Sequence, residues 1–283
     1  MEALSEHASF GGVQGFYRHA SSAIGLPMRF SVYQPPQARL GPVPVLFFLA
    51  GLTSNEETFM IKGGAQRYAA EHGIMLVAPA TSPRETGIAG VADSWDFGDA
   101  ASFYLDATEP PWSTRFKMES WLIDELRALL LRHFPARADA IGVFGHSMGG
   151  HGALTLALRH PTLFRSVSAF APIAAPSQCP WGQKAFTHYL GADPANWETH
   201  DASALMATRS TPFPGGILID QGLADKFLES QLLPTQFEAA CQKAGQPLTL
   251  RRHPGYDHGY YFVSSFMADH LAFHQRCLSA PVA

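Results

Sequence analysis

The chain has 283 residues, of which 46% are hydrophobic and 16% charged, and its formal net charge is −4. This composition is typical of globular proteins and excludes the disordered class, which combines low hydrophobicity with high net charge. A mildly acidic chain has no basic footprint for nucleic acid, and no apolar run approaches the ~20 residues that cross a bilayer, so we expect neither kind of partner. Chains of this length commonly form one α/β domain, and we predict a single domain over residues 1–283.

The cysteine pattern and the N-terminus both favour a cytoplasmic protein. Cys179, Cys241 and Cys277 are odd in number and form neither a C-x-x-C pair nor a Cys/His metal-binding pattern. Such cysteines fit a reducing compartment. Residues 1–7 carry acidic side chains and lack the basic-then-apolar order of a signal peptide, so export is the less favoured alternative.

Hydrophobic periodicity predicts strands and helices that alternate along the chain, which favours an α/β fold. Alternating apolar residues over 28–33 predict an early antiparallel strand, and the nearly continuous apolar run over 43–50 predicts a central strand covered on both faces. Further strands are predicted at residues 74–79, 140–144, 166–170, 215–220 and 248–252. Helices are predicted at residues 64–71, 118–130, 153–158, 234–244 and from Gly259 onward.

The stretch GHSMGGHG over residues 145–152 lies between a predicted strand and a predicted helix. A G-x-S-x-G turn in that context is the nucleophile elbow of the α/β-hydrolase fold, whose glycines relieve crowding while the serine hydroxyl projects above the sheet. The flanking strand and helix make a chance match in a glycine-rich turn the weaker interpretation. We therefore predict an α/β-hydrolase fold with a mostly parallel central sheet flanked by helices, and Ser147 as the nucleophile.

Two long segments interrupt the alternation of strands and helices. Residues 80–112 have no clear period and are rich in Gly, Pro, Asp and aromatic residues, so they either pack on their own aromatics or line a substrate pocket. Residues 172–214 contain helical stretches and resemble the excursion that many hydrolases insert after the strand that follows the elbow.

A serine nucleophile needs a base and a third group that orients the base. In this fold the acid follows the serine in the chain and the histidine comes last. Asp225 lies on the loop after the predicted strand 215–220, and His258 lies in a glycine-rich turn after the predicted strand 248–252. We therefore predict Asp225 as the acid and His258 as the base.

Several other acids and histidines compete for these roles. Asp220 is closer to the end of its strand and is expected to be buried, and Asp257 adjoins His258, where neighbouring side chains on an extended segment point apart. His253 lies beside the last strand and precedes a proline. His146 and His151 flank the nucleophile and are expected to support the elbow by hydrogen bonding.

The oxyanion that forms during acyl transfer needs two preorganised N–H donors. One comes from the residue after the nucleophile, here Met148, and the other from the loop after the early central strand. That loop begins with Gly51, and we assign its second donor to the backbone of Leu52. The alternative for Leu52 is a simple core contact.

Eleven short stretches resemble those of the S-formylglutathione hydrolases, the esterase D family, and they run in order through nearly the whole chain. They are LAGLT (49–53), GAQR (64–67), TSPR (81–84), DSWDFG (93–98), FYLDAT (103–108), GHSMGGHGAL (145–154), SAFAPI (168–173), CPWGQKAF (179–186), DQG (220–222), QLLP (231–234) and PGYDH (254–258).

The resemblance implies a cofactor-free serine thioesterase that hydrolyses S-formylglutathione to formate and glutathione in formaldehyde detoxification. Members of this family are usually cytosolic and often homodimeric. The resemblance also implies the triad Ser147, Asp225 and His258, with Leu52 and Met148 as oxyanion donors. These residues are the same ones that the motif positions favour.

Two positions depart from the family pattern. Many members carry a cysteine where this chain has Ser54, so inactivation by thiol reagents through that position is not expected. Many also have an aspartate where this chain has Ala80, and residues 85–89 differ from the usual glycine-led continuation. The pocket rim is therefore expected to differ in detail.

The glutathione thioester carries two carboxylates, which need local cations if they are to be desolvated. Four cations lie in or beside predicted active-face loops, and each is otherwise a solvated surface charge: Lys62, Arg84, Lys184 and Lys226. Trp95 and Trp181 are the uncharged candidates for holding the substrate. No metal ligand set is predicted.

Two other functions remain open at this point. An esterase of the same fold that acts on short acyl esters or on acyl groups linked to carbohydrate would use identical residues, since fold does not decide substrate. A catalytically silent binding protein is the second alternative, and the intact set of Ser147, Asp225 and His258 argues against it.

Overall fold

The computed structural model describes residues 1–280. Within them, nine strands form one sheet: β1 (Glu2–Ser9), β2 (Gly12–Ala20), β3 (Pro27–Gln34), β4 (Val43–Leu49), β5 (Met75–Pro79), β6 (Ala136–His146), β7 (Ser166–Phe170), β8 (Ile217–Gly222) and β9 (Leu248–His253). Their order across the sheet is β1-β2-β3-β5-β4-β6-β7-β8-β9. The pairs from β1 to β5 along this order are antiparallel, and those from β5 to β9 are parallel.

Helices flank this sheet. They are α1 (Thr58–Lys62), α2 (Ala65–His72), α3 (Met118–Ser120), α4 (Arg127–His133), α5 (Met148–Arg159), α6 (Pro180–Leu190), α7 (Ala202–Ala207), α8 (Pro234–Ala244), α9 (Tyr260–Ser265) and α10 (Met267–Ser279). A π-helical segment, Trp121–Leu126, joins α3 to α4. In residues 1–280 no helix combines the length and the apolar character that a membrane span requires. The predicted α/β fold with a mostly parallel sheet is confirmed.

The central strands are apolar because both of their faces are covered. Every residue of β5, β7 and β8 is buried, and so is all of β4 except Pro44. Helix α5 packs against β4, β6 and β7, and α10 packs against β6 and β7. Loops therefore leave the carboxyl ends of β4, β6, β8 and β9 at one edge of the sheet, which is the edge where α/β proteins bind ligands.

Each strand predicted from periodicity is present, and α8 begins and ends at the predicted residues. Among the strands and α-helices given above, β1, β2 and the short helix α1 were not predicted. The closing helix predicted from Gly259 is divided at Phe266, whose backbone leaves helical geometry with φ −113° and ψ 10°. The Phe266 ring stacks on His253 with 3.8 Å between the ring centroids, and this packing accompanies the break.

The two long segments behave differently. Residues 80–112 stay irregular except for the start of a 3₁₀ turn at Trp112–Thr114, and their Phe97 and Trp112 rings pack on Tyr189 of α6. Residues 172–214 carry α6 and α7, as the predicted helical excursion requires. The first segment is therefore held to the second through aromatic contacts.

Candidate active site

Ser147 lies at the sharp turn between β6 and α5. Its backbone has φ 58° and ψ −120°, a conformation that is strained for any residue with a Cβ. The turn is close-packed, because a Cβ on Gly149 would lie 1.9 Å from the Leu49 carbonyl oxygen and a Cβ on Gly145 would lie 2.1 Å from the Gly149 oxygen. The Ser147 N–H donates to the Phe170 carbonyl oxygen at 3.0 Å and so ties the elbow to β7. Glycine at these two positions is what allows the strained serine to sit above the sheet.

Asp225 and His258 meet above the ends of β8 and β9. The His258 Nδ1 lies 2.5 Å from the Asp225 Oδ2, and the Asp225 Oδ1 accepts the Phe227 N–H at 2.9 Å. The Asp225 side chain is fully buried, whereas the His258 side chain is 18% exposed. An ionised carboxylate only accepts hydrogen bonds, so the neutral imidazole carries its proton on Nδ1 and leaves Nε2 as an acceptor.

The competing residues lie elsewhere. Asp220 is buried and contacts Arg251, His253 and His270. Asp257 is exposed, and its Oδ1 accepts the N–H of Gly259 at 2.8 Å. Neither carboxylate contacts His258 within the described chain.

Ser147 and His258 line one cavity of about 330 Å³. Part of its lining, which we call the aromatic wall, consists of Trp95, Trp181 and Phe227. Their rings are in contact, with centroids 5.5 Å apart for Trp95 and Trp181 and 4.7 Å apart for Trp181 and Phe227. Phe227 in turn contacts the His258 ring at 5.2 Å.

A second part of the lining, the polar wall, consists of Ser54, Thr58, Lys62 and Tyr260. Thr58 and Lys62 are the first and last residues of α1, and Tyr260 is the first residue of α9. The polar wall thus combines one ammonium group with three hydroxyl groups. Such groups suit an anionic or strongly polar part of a ligand.

Leu52 and Met148 flank the nucleophile on its two sides. Gly51 lies against the elbow, since a Cβ added to it would lie 3.1 Å from the Ser147 Cβ, and Leu52 follows it on the cavity lining. Met148 is the first residue of α5, so its N–H has no acceptor within that helix. Both backbone positions fit oxyanion donors, and their role stays a prediction.

Comparisons with known proteins identify the family of this chain. The profile of the "Putative esterase" family matches residues 21–273. An S-formylglutathione hydrolase of Paracoccus denitrificans is 52% identical over 277 residues, which is 98% of each chain. The chain belongs to the S-formylglutathione hydrolase family. It is therefore an enzyme of the serine-hydrolase esterase class.

Other relatives of the family extend the comparison. The S-formylglutathione hydrolase of Rattus norvegicus is 47% identical and covers 99% of both chains. The solved structure of an S-formylglutathione hydrolase from Agrobacterium tumefaciens matches with a TM-score of 0.96 at 46% identity, covering 99% of this chain and 100% of that one. The serine hydrolase FphF of Staphylococcus aureus, at 20% identity and a TM-score of 0.74, shares the fold and covers 93% of this chain and 98% of its own.

The two histidines beside the nucleophile have distinct surroundings. The His151 Nε2 lies 3.2 Å from the Phe103 carbonyl oxygen, which it can only approach as a donor, so this ring ties α5 to the segment 80–112. Burial lowers the pKa of His151 to about 3. His146 packs on the ring of His258 with 4.6 Å between centroids, and burial lowers its pKa well below the usual range. Both rings are therefore neutral at pH 7.

The six predicted substrate-binding residues are divided by the structure. Lys62, Trp95 and Trp181 line the cavity that contains Ser147. Lys184 instead bonds Asp96 at 2.5 Å and Ser94 at 2.8 Å, and so holds the segment that carries Trp95 against α6. Lys226 lies over the Phe227 ring at 4.9 Å, and Arg84 donates to the Ser54 carbonyl oxygen at 3.2 Å. These last three cations are not among the residues that line the cavity.

Sequence reasoning did not select Phe227, Thr58 or Tyr260 as lining residues. Phe227 and Tyr260 had a positional signal, since Phe227 comes two residues after the predicted acid and Tyr260 two residues after the predicted base. Thr58 had none, because α1 itself was not predicted.

Proposed function

We propose that this chain hydrolyses S-formylglutathione to formate and glutathione through an acyl-enzyme on Ser147. The observation that carries the proposal is that the Asp225–His258 pair opens onto the cavity that Ser147 lines. Relatives with 47% to 52% identity over almost their full length are S-formylglutathione hydrolases. No cofactor or metal is part of the proposal, since a hydroxyl, an imidazole and a carboxylate suffice for acyl transfer.

In the first half-reaction, His258 Nε2 takes the proton from the Ser147 hydroxyl while Oγ attacks the formyl carbon. The carbonyl oxygen becomes an oxyanion, which the N–H groups of Leu52 and Met148 stabilise by hydrogen bonding. The intermediate then collapses, the C–S bond breaks, and the imidazolium returns its proton to the glutathione sulfur. Asp225 holds the tautomer and stabilises the imidazolium.

In the second half-reaction, His258 takes a proton from a water molecule that attacks the formyl ester of Ser147. The same oxyanion donors stabilise the second intermediate, and its collapse returns the proton to Ser147 and releases formic acid, which ionises to formate in solution. Each half-reaction leaves His258 neutral, so the enzyme is ready for the next substrate. We also propose a cytoplasmic location and a homodimer, both from the family resemblance.

The test is to replace the nucleophile and compare substrates. We expect Ser147→Ala to lower kcat for S-formylglutathione by about 10⁴-fold or more, because only binding and oxyanion stabilisation remain. The thermal unfolding midpoint should change little, since the hydroxyl contributes little packing. Wild-type activity in a folded Ser147→Ala protein would refute the nucleophile, and a fluorophosphonate probe that labels the wild type but not this variant would exclude a silent binding protein.

The choice of substrate is tested by kcat/KM for S-formylglutathione against 4-nitrophenyl acetate. We expect the thioester to be preferred. A clear preference for the small ester would instead indicate a general short-chain carboxylesterase of the same fold.

A further inference from the structure

Lys62 differs from Arg84, Lys184 and Lys226 because, among these four cations, it alone lines the cavity that contains Ser147. Lys184 is paired with Asp96, and Arg84 is bonded to a carbonyl oxygen. In residues 1–280, Lys62 has no hydrogen bond and no carboxylate partner, although it lines the cavity that contains Ser147. A cation that lines a catalytic cavity without a partner is available to an anionic group of the substrate.

The position of Lys62 is fixed by the short helix that carries it. Asn55 accepts the N–H of Thr58 at 3.1 Å and so starts the turn. Phe59 is fully buried and stacks on Phe48 of β4 with 3.6 Å between ring centroids, which anchors α1 to the sheet. Lys62 is the last residue of α1, where the carbonyl ends of the backbone favour a cation.

Tyr260 supplies a second unsatisfied group to the same cavity. Its hydroxyl oxygen is buried and makes no hydrogen bond of ordinary geometry within the described chain, and the Ser54 side chain is the neighbour that acts on it. Burial raises the pKa of Tyr260 far above the usual value, and the Ser54 side chain opposes that shift only in part. The hydroxyl therefore keeps its proton at any working pH. A buried hydroxyl left without a partner is costly, so a ligand atom that accepts its proton is favoured.

We propose that Lys62 and Tyr260 together bind a carboxylate of glutathione while the thioester lies at Ser147. This inference rests on the proposed function. It identifies a carboxylate of glutathione as the group by which the enzyme recognises the thiol part of its substrate. The ammonium supplies the charge, and the tyrosine hydroxyl supplies a directional O–H donor to the same carboxylate. The aromatic wall contains no charged side chain and makes no such discrimination.

The experiment compares substrates and inhibitors with and without carboxylates. The variants are Lys62→Met, Tyr260→Phe and the double variant, with Lys243→Met as the matched control, since Lys243 lies exposed on α8 away from the cavity. For each variant, kcat/KM is measured for S-formylglutathione and for 4-nitrophenyl acetate, which carries no carboxylate. S-methylglutathione is then used as an unreactive inhibitor of 4-nitrophenyl acetate hydrolysis.

For Lys62→Met we expect the ratio of the two kcat/KM values to fall by roughly tenfold, as expected for loss of a charge-assisted contact. The change should be in KM for the thioester, and the inhibition constant of S-methylglutathione should rise by a similar factor. Tyr260→Phe should change both quantities in the same direction by a smaller factor. The effects should be less than multiplicative in the double variant, because both groups act on one carboxylate.

Ionic strength gives an independent readout. Added salt should raise KM for S-formylglutathione in the wild type, because salt screens the attraction between the Lys62 ammonium and the substrate carboxylate. The effect should be much smaller in Lys62→Met, which lacks that attraction. An unchanged ratio in Lys62→Met, or an equal fall in Lys243→Met, would overturn the carboxylate site. If the wild type failed to hydrolyse S-formylglutathione, the proposed function would fall, whereas the inhibition by S-methylglutathione would still decide whether Lys62 and Tyr260 bind a carboxylate.

Discussion

Two aspartate–histidine pairs lie near one another at the carboxyl edge of the sheet, and only one of them opens onto the cavity. Asp225 contacts the His258 Nδ1 at 2.5 Å, and Asp220 contacts the His270 Nε2 at 3.2 Å. Both carboxylates have no exposed side-chain surface. Pairing and burial of the acid therefore do not distinguish a catalytic pair from a structural one.

The difference lies in the second nitrogen of each histidine. His270 is fully buried, and its Nδ1 lies 2.8 Å from the Ser168 hydroxyl. That hydroxyl also lies 2.8 Å from the His274 Nε2, and the His274 Nδ1 lies 2.6 Å from Ser166. Every ring nitrogen of these two histidines is thus engaged. The free Nε2 of His258, in contrast, is on a ring that lines the cavity with Ser147.

The hydrogen positions in the buried network follow from its carboxylate end. Asp220 can only accept, so His270 carries its proton on Nε2 and its Nδ1 accepts from Ser168. The Ser168 oxygen then accepts from the Nε2 of His274, whose Nδ1 accepts from Ser166. One set of neutral tautomers satisfies all four contacts. A proton added to either ring would break this chain.

The charges of the two acids are also balanced differently. Arg251 binds both oxygens of Asp220, at 2.6 Å and 2.5 Å, and so supplies a permanent positive charge. Asp225 has His258 as its ionisable partner in the described residues and becomes part of an ion pair only when His258 accepts a proton. Asp225, which we propose as the catalytic acid, is thus left to pair with a transient imidazolium, whereas Asp220 is neutralised permanently by Arg251.

The largest predicted effect comes from removing the charge of each acid in turn. Asp225→Asn should lower kcat by about 10⁴-fold with little loss of stability, because the wrong tautomer of His258 is favoured and the imidazolium is not stabilised. Asp220→Asn should reverse this pattern. It should lower the free energy of unfolding by about 3 kcal/mol, since it removes the buried carboxylate that contacts Arg251 and His270 and leaves Arg251 with Asp269 as its remaining carboxylate, and should change kcat only a few-fold.

The two variants are compared by urea unfolding and by steady-state kinetics at a temperature where both are folded. Equal losses of kcat in the two folded variants would show that Asp220 takes part in catalysis. A large loss of stability in Asp225→Asn, with kcat retained, would assign that pair a structural role instead.

The sequence distinguished the two acids by their position relative to strand ends. The position of Asp225 on a loop beyond its strand favours it as the acid, whereas the position of Asp220 at the strand end predicts that it is buried. The structure confirms that burial. The network around Asp220 could not be predicted, because it joins β7, β8, β9 and α10 through side chains that are far apart in the chain.

The unpredicted strands have a similar explanation. β1 and β2 are joined by Phe10 and Gly11, whose φ values of 45° and 76° are both positive, as in a two-residue type I′ hairpin turn. Such turns are usually predicted from an Asn-Gly or Asp-Gly pair. The Phe-Gly pair in this chain does not predict one. β1 is also exposed along nearly its whole length and therefore shows no hydrophobic alternation. Pairing with β2 rather than local pattern determines this strand.

The active-site cations show the same limit of sequence reasoning. Four basic residues lie in or beside predicted active-face loops, and of these four only Lys62 lines the cavity. Lys184 has a carboxylate partner 88 residues earlier in the chain, at Asp96. Contacts between residues so far apart in the chain determine which cation has a carboxylate partner, and a local sequence pattern cannot predict them.

The second predicted effect is a loss of stability in mild acid, which arises from the buried histidines His270 and His274. Burial lowers the pKa of His270 and holds that of His274 well below the usual range. Unfolding returns both rings to a pKa of about 6.5, so below that pH the unfolded state binds protons that the folded state excludes. The free energy of unfolding should therefore fall as pH decreases below about 6.5, by about 1.4 kcal/mol per pH unit for each such histidine.

This acid sensitivity is measured as the free energy of unfolding in urea between pH 4.5 and 7.5. His146 and His151 contribute with the same sign, so the informative quantity is the difference between the wild type and His274→Gln. The variant retains a donor and an acceptor but has one fewer titrating group, and its slope against pH should be smaller by about one proton. A slope equal to that of the wild type would mean that His274 is not held neutral in the folded protein. Asp220 adds a separate loss at lower pH, since its depressed pKa stabilises the fold above about pH 4 and that contribution declines below it.

The smallest predicted effect isolates the hydroxyl that joins the two buried histidines. Ser168→Ala should leave the Nδ1 of His270 without a donor and the Nε2–H of His274 without an acceptor, and should cost roughly 1–3 kcal/mol of stability. Ser166→Ala is the matched control, because Ser166 contacts one of these nitrogens rather than two, and its cost should be smaller. Both variants should keep kcat/KM close to that of the wild type, since neither side chain touches the cavity with Ser147. A loss of activity in Ser168→Ala greater than in Ser166→Ala, measured on folded protein, would contradict this expectation. It would show that the buried network of Asp220, His270 and His274 affects the Asp225–His258 pair.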